Sequence, residues 1–93
     1  MDLGALLLWH SMIAWMDGHE GPLSISVMMS LDVSHDGIHW VPLAHGDLVA
    51  GQDLRLPSGE TSPAFLAGYV RARILHWSRE PKTGRVYATI ASA

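Results

Sequence analysis

The chain has 93 residues, of which 48% are hydrophobic and 16% charged, and its net charge is −3 with six Lys plus Arg. This length accommodates one small domain, without a separate cofactor domain. The small number of basic residues argues against nucleic-acid binding and against adhesion to anionic lipid. The absence of cysteine excludes disulfides, thiolate metal sites and thiol nucleophiles. A chain this apolar is expected to place part of its apolar surface against a partner.

The most apolar run extends from Ala5 to Met16. It is interrupted by His10 and Ser11, is too short to span a bilayer, and has Asp2 where a secretion signal carries Lys or Arg. The turn-forming stretch 17–22 follows it, so we predict that the run is a strand. Residues 1–8 are able to extend from it as an N-terminal arm.

A two-residue period is sustained from Leu23 to Val33, with apolar side chains at every odd position. This pattern predicts a strand with one buried face. The dipeptide Asp36-Gly37 that follows is typical of a tight hairpin, so the chain is expected to turn back as a second strand over Ile38 to Leu43. Pro42 lacks a backbone N–H and therefore predicts an edge strand, or a strand end, at that position.

The remaining chain is divided by turn residues. Glycines and prolines between 44 and 68 predict loops and brief strands, with short apolar segments at 48–49 and 54–56. Residues 78–84 are polar and predict a hairpin loop before a last strand over 85–91, whose inward side chains are Val86, Ala88 and Ile90.

Tyr69 to Trp77 alternates again. The alternation places Val70, Ala72, Ile74 and His76 on one face, and Arg71 and Arg73 on the other. Since an unpaired guanidinium is rarely buried, we expect the face of Val70 and its neighbours to point to the interior. Residues 1–93 are therefore predicted to form one all-β domain, an antiparallel β-sandwich (Ig-like or jelly-roll-like) of about six to eight short strands.

No pattern of reactive residues points to an enzyme. His35, His39 and His45 lie near the Asp36-Gly37 turn, but with Asp36 and Asp47 they do not follow a recurrent metal-ligand spacing. No serine lies in a G-x-S-x-G elbow, and no glycine-rich phosphate loop is present. We expect no catalytic residue, no metal, no cofactor and no small-molecule substrate.

Three segments together carry a family resemblance: Leu31 to Trp40 (LDVSHDGIHW), Gly68 to Ile74 (GYVRARI) and Gly84 to Ile90 (GRVYATI). They resemble small β-sandwich structural proteins of tailed bacteriophages, which decorate capsids or build head and tail accessories. The resemblance covers roughly residues 23–91 and implies a non-enzymatic virion protein, a capsid decoration or cement subunit that oligomerises and stabilises the capsid lattice. The implied partners are the major capsid protein or another virion protein and further copies of the chain, and the implied location is the virion, assembled in the host cytoplasm.

Apolar and aromatic side chains are the expected contacts of such a subunit. We predict an interface formed by Leu7, Trp9, Trp15, Met28, Met29, Arg71 and Arg73. Met28 is included because it is the one apolar residue on the otherwise polar face of its strand, and an unbranched thioether adapts to irregular surfaces. The N-terminal arm or the loop 44–63 is expected to lie on a neighbouring subunit.

A second resemblance leads to a different class of function. Discoidin-like carbohydrate-binding modules resemble this chain in an S-x-D-G-x-x-W segment, which corresponds to Ser34 to Trp40. They also share a later Y-V-R segment, which corresponds to Tyr69-Val70-Arg71. This alternative implies a small carbohydrate-binding module in which Trp40, Tyr69 or Trp77 stacks on a sugar. Asp36, Asp47 or Arg71 then binds the sugar hydroxyls.

Overall fold

The computed structural model describes residues 1–17, 26–58, 63–77 and 85–93. Its described secondary structure consists of seven β-strands: β1 (Asp2–Leu7), β2 (His10–Asp17), β3 (Ser26–Ser34), β4 (Val41–Val49), β5 (Leu54–Leu56), β6 (Ala67–Trp77) and β7 (Arg85–Ser92). They form a four-stranded sheet of order β1-β6-β3-β4 and a three-stranded sheet of order β5-β2-β7, both antiparallel. The prediction of an all-β antiparallel sandwich is confirmed. Within these ranges, the structure contains no helix that could cross a membrane.

Strand β3 is central in the larger sheet and confirms the alternation found in the sequence. Val27, Met29, Leu31 and Val33 are buried against the other sheet. Ser30, Asp32 and Ser34 point to the opposite face and are buried as well. Asp32 is covered there by the side chains of Arg71 and Arg73. Residues 23–25, where the strand was predicted to begin, lie outside the described part of the chain.

The N-terminal apolar run is two strands and not one, so the prediction of a single strand is wrong. β1 pairs with β6 in the larger sheet, whereas β2 pairs with β5 and β7 in the smaller sheet. The chain changes sheets at Leu8 and Trp9, whose N–H groups both donate to the carbonyl of Ala93. Residues 2–7, expected to extend as an arm, are paired with β6. The turn residues 18–22 after β2 lie outside the described residues.

The connection from β3 to β4 is longer than a two-residue hairpin. Gly37 has the positive φ of 80° that the Asp-Gly turn predicted. However, the return strand begins at Val41 and not at Ile38, because the N–H groups of Ile38 and His39 donate to Oδ1 of Asp36 and not to a neighbouring strand. Pro42 lies in β4 at the edge of the sheet, as predicted.

An irregularity in β6 changes the face on which its last residues lie. The register with β3 shifts between Met28 and Met29, so Ile74 is opposite Met29 and His76 is opposite Met28. Leu75 is the extra residue of this β-bulge, and a bulge inverts the side-chain alternation beyond it. The prediction that His76 shares a face with Ile74 is therefore wrong, and Trp77 packs against the core. The predicted polar loop 78–84 lies outside the described residues.

The core lies between the two sheets, and β4 faces β5 at one side of it. We call this side of the sandwich, formed by β4 and β5, the closed edge. Leu48 and Leu56 are fully buried there. Gly46 faces inward at this point, and a Cβ added to it would lie 3.1 Å from Cδ1 of Leu54, so its lack of a side chain lets the sheets approach. The short apolar segments predicted at 48–49 and 54–56 belong to β4 and β5.

Candidate functional site

On the opposite side of the sandwich, the described strands cover the edge only in part. β7 is the last strand of the smaller sheet, and β6 of the larger sheet faces it across the sandwich. β1 covers β6 only as far as its N-terminal part: the last backbone hydrogen bonds between them join Met1 and Val70. We call the side formed by β7 and residues 71–77 of β6 the open edge.

Side chains that point into the sandwich are exposed at the open edge. Ala72 and Ile74 lie directly opposite the buried Leu31 and Met29, so they point to the same inner face. Nevertheless Ala72 is exposed, and Ile74 retains 45% of its accessible surface.

The same is true on the smaller sheet. Ala88 lies opposite the fully buried Ala14 and is itself exposed, while Val86 and Ile90 are half-buried. The interior is therefore apolar and accessible along this side. The inward orientations predicted for Val70, Ala72, Ile74, Val86, Ala88 and Ile90 agree with the register, but only Val70 is fully buried.

Within residues 1–17, 26–58, 63–77 and 85–93, strand β7 has none of the features that usually protect an edge strand. Its eight residues contain no proline and a single charge, at Arg85, and its register with β2 continues without a shift from end to end. Natural sheets protect such strands with proline, lysine, bulges or a covering segment. An unprotected, regular edge of this length is able to accept another strand.

A buried ion pair holds the exposed half of β6 in place. The side chain of Asp32, only 1% exposed, accepts hydrogen bonds from Nε of Arg71 at 2.9 Å and Nε of Arg73 at 2.8 Å through Oδ2. Ser30 donates to its Oδ1 at 2.5 Å. Burial raises the pKa of Asp32, but the Ser30 hydroxyl and the two guanidinium groups outweigh burial and lower it.

The arginine side chains cover this carboxylate from outside. The guanidinium of Arg71 also lies 4.2 Å from the centre of the Trp40 ring, within the range of a cation–π contact. The arginines therefore tie β6 to β3 in the part of β6 that has no second neighbour among the described strands, and they are about half exposed themselves.

Asp36 stabilises the turn between β3 and β4. Its Oδ2 lies 2.7 Å from Nδ1 of His39, and its Oδ1 accepts the N–H groups of His39 and Ile38. These hydrogen bonds, with that of the His39 side chain the strongest, lower the pKa of Asp36. The ring of Tyr69 packs over Gly37, where an added Cβ would come within 3.1 Å of it. The Asp-Gly motif is thus used for backbone geometry.

The seven residues predicted as an interface do not form one surface. Trp15 lies on the outer face of the smaller sheet, whereas Met28, Arg71 and Arg73 lie on the outer face of the larger sheet. Leu7 is half-buried at the end of β1, and Trp9 is half exposed where the chain changes sheets.

Met29, which was predicted to lie in the interface, is not at the surface. It is only 3% exposed and lies in the core. Its odd position in the β3 alternation already placed it on the buried face.

Each aromatic residue named for sugar binding contacts another part of the chain. One face of Trp40 is occupied by Arg71, Tyr69 covers Gly37, and Trp77 packs against the core. A different pair is accessible: Trp15 stacks on Tyr87, with 5.6 Å between ring centres and 18° between planes. Both residues retain more than a third of their surface on the outer face of the smaller sheet. Tyr87 had no signal in the sequence, since its pairing with Trp15 depends on which strands are neighbours.

The three histidines considered for a metal site do not all lie in the same element of the described structure. His35 and His39 are exposed in the connection between β3 and β4, and His45 lies in β4 opposite Ser30. Among residues 1–17, 26–58, 63–77 and 85–93, no three His, Asp or Glu side chains are grouped so that they could hold a metal ion.

His10 is a buried polar residue that no pattern in the sequence indicated. It is buried, its Nε2 lies 3.0 Å from the carbonyl oxygen of Leu7 and 2.9 Å from that of Phe65, and its Nδ1 lies 2.7 Å from Oγ of Ser92. Since a carbonyl only accepts, Nε2 carries the proton. His10 therefore joins three segments where β2 begins.

Comparison with known proteins finds no match: no family model, no curated protein and no solved structure is significantly similar to this chain.

Proposed function

We propose that this chain is a non-enzymatic structural subunit of a bacteriophage virion, a capsid decoration or cement protein that oligomerises and stabilises the capsid lattice. The observation that carries the proposal is the open edge, where inner-facing apolar side chains and a regular, unprotected strand are accessible together. Exposed apolar surface of this kind marks protein–protein contact sites in soluble domains. The partners we propose are further copies of the chain and the major capsid protein or another virion protein.

The polar residues of the resembling segments support the same proposal. Asp32 is buried between Arg71 and Arg73, and Asp36 is bonded to its own turn. Both carboxylates therefore stabilise the sandwich in the described structure. A rigid small block with accessible apolar surface suits a subunit that acts by binding to neighbours.

Particle association tests the proposal. Virions would be purified by density gradient from cells that produce this protein, and the chain quantified in each fraction with an antibody. We expect it to sediment with particles at a fixed ratio to the major capsid protein and to resist a salt wash, because buried apolar contacts are insensitive to screening. Its absence from the particles, with all of the chain remaining at the top of the gradient, would contradict the proposal.

The carbohydrate-binding alternative has one observation in its favour, the exposed stack of Trp15 on Tyr87. Aromatic rings on a sheet surface are able to stack on sugar rings. The test is a glycan array with the purified chain, followed by titration of any hit while tryptophan fluorescence is monitored. Saturable binding that is lost in Trp15→Ala and retained in Trp9→Ala, a matched exposed tryptophan, would support this alternative.

A further inference from the structure

We infer that two copies of this chain pair through β7, antiparallel and centred on Ala88, so that the two smaller sheets become one six-stranded sheet. The inference rests on the proposed function in one respect, that the chain acts by binding protein subunits. It goes further by assigning the open edge to a second copy of the same chain and by giving the register of the contact.

Side-chain parity restricts how β7 can pair with itself. The even-numbered residues of β7 face the core and the odd-numbered residues face outward, as their partners on β2 show. Directly opposite residues in an antiparallel pair point to the same face. A two-fold axis must therefore pass through a residue, because an axis between residues would place core-facing side chains opposite outward-facing ones.

An axis at Ala88 gives compatible pairs at every position. It places Ala88 opposite Ala88 of the second copy, Val86 opposite Ile90, Tyr87 opposite Thr89, and Arg85 opposite Ala91. The apolar pairs lie on the core side, and no charge faces a like charge. An axis at Thr89 instead places Val86 opposite the polar Ser92, so Ala88 is the better centre.

The same arrangement covers the exposed interior of the larger sheet. Because β6 lies across from β7, joining the β7 strands brings segment 71–77 of one copy towards that of the other. The inner-facing Ala72 and Ile74 of each copy then contribute to a core that continues across the contact. A single added strand on β7 from an unrelated partner would leave Ile74 accessible, which favours a second copy as the occupant.

The closed edge does not offer an equivalent contact. β4 contains Pro42 and Asp47, its register with β3 shifts between Leu31 and Asp32, and β5 has only three residues. Proline, charge and irregular register all disfavour edge-to-edge pairing. Association is therefore expected through the open edge and not through the closed edge.

Cysteine cross-linking tests the register directly, since the natural chain contains no cysteine. In the full-length chain, Ala88→Cys would place two thiols on directly opposite residues, with Cβ atoms about 5 Å apart. Ala91→Cys would place them about 20 Å apart, at 3.4 Å per residue along the strand. Each purified variant would be treated with a short bis-maleimide and analysed on a denaturing gel.

We expect Ala88→Cys to cross-link efficiently, Ala91→Cys to remain monomeric on the gel, and the double variant Arg85→Cys/Ala91→Cys to cross-link again. Equal cross-linking of Ala88→Cys and Ala91→Cys, or cross-linking of Thr89→Cys in place of Ala88→Cys, would overturn the inference.

A second variant measures association without a reagent. Ala88→Arg adds a charge at an exposed position and places two guanidinium groups opposite each other in the pair. Sedimentation equilibrium should show the dissociation constant of the dimer rising at least tenfold, while Ala5→Arg, the same change at an exposed position on β1, leaves it unaltered. A natural chain that stays monomeric at high concentration also overturns the pairing, and it does so without affecting the particle-association result that tests the proposed function.

Discussion

The two sides of the sandwich differ in how completely they bury the same kind of residue. At the closed edge, Leu48 and Leu56 point inward and are fully buried, and Gly46 lets the side chain of Leu54 fill the space between the sheets. At the open edge, Ile74 and Ala88 also point inward but remain exposed. The difference shows that an inward direction alone does not bury a side chain, because burial also requires a neighbour on the far side of the strand.

Truncation of an inward-facing apolar side chain at the closed edge should give the largest loss of stability. Leu56→Ala removes a fully buried side chain and leaves a cavity, so we expect the free energy of unfolding to fall by about 3 kcal/mol. Urea denaturation monitored by tryptophan fluorescence measures this. A loss below about 1 kcal/mol would mean that the closed edge collapses around the cavity and is not tightly packed.

Removal of the ion pair that anchors the exposed half of β6 should give the second-largest loss of stability. Asp32→Asn removes the charge that orders Arg71 and Arg73, and we expect a loss of about 2 kcal/mol, since hydrogen bonds to charged groups contribute roughly 1.5–3 kcal/mol. Amide hydrogen exchange should accelerate most in residues 71–77, where β6 has β3 as its only described neighbour. Equal acceleration along β4 would contradict a specific anchoring of the open edge.

The same carboxylate predicts part of the pH dependence of stability. Its pKa in the folded chain lies below the usual value of 3.8, so it contributes stability that is fully present above that value and is lost as the pH falls through the lowered pKa. Acid titration of unfolding should therefore be less steep below about pH 4 in Asp32→Asn than in the natural chain. Asp36, whose pKa is also lowered, accounts for acid sensitivity that persists in the variant.

Truncation of an inward-facing side chain at the open edge should give the smallest loss of stability in an isolated monomer. Ile74 is nearly half exposed, so Ile74→Ala should cost about 1 kcal/mol or less in dilute solution. If Ile74 becomes buried when two copies pair, the cost should increase with protein concentration. A cost that equals that of Leu56→Ala at every concentration would remove the distinction between the two edges.

The sequence predicted those parts of the fold that depend on local pattern. The alternation around Leu31, the positive φ at Gly37 and the edge position of Pro42 are all local consequences of residue type, and they are confirmed. The sheet change at Leu8 and Trp9 was not predictable in this way, because the continuous apolar run has no turn residue at that point. The bulge at Leu75 also lacks a glycine or proline to mark it.

The candidate site was predictable only in its general character. The high apolar fraction led to the prediction of apolar surface that faces a partner, and the residues chosen for it were those with large side chains, such as Trp15 and Met29. The exposure of Ala72, Ile74 and Ala88 depends on which strands lie beside β6 and β7 in the described structure. Strand neighbours are set by the whole topology, and a single segment carries no signal for them.

Hydrogen exchange measured at several protein concentrations tests the central claim, that the open edge is an assembly surface and the closed edge is not. The amides of β7 that do not bond to β2 should become more protected as the concentration rises, while those of β4 exchange at a constant rate. Protection in β7 that is independent of concentration, or that increases equally in β4, would contradict the account.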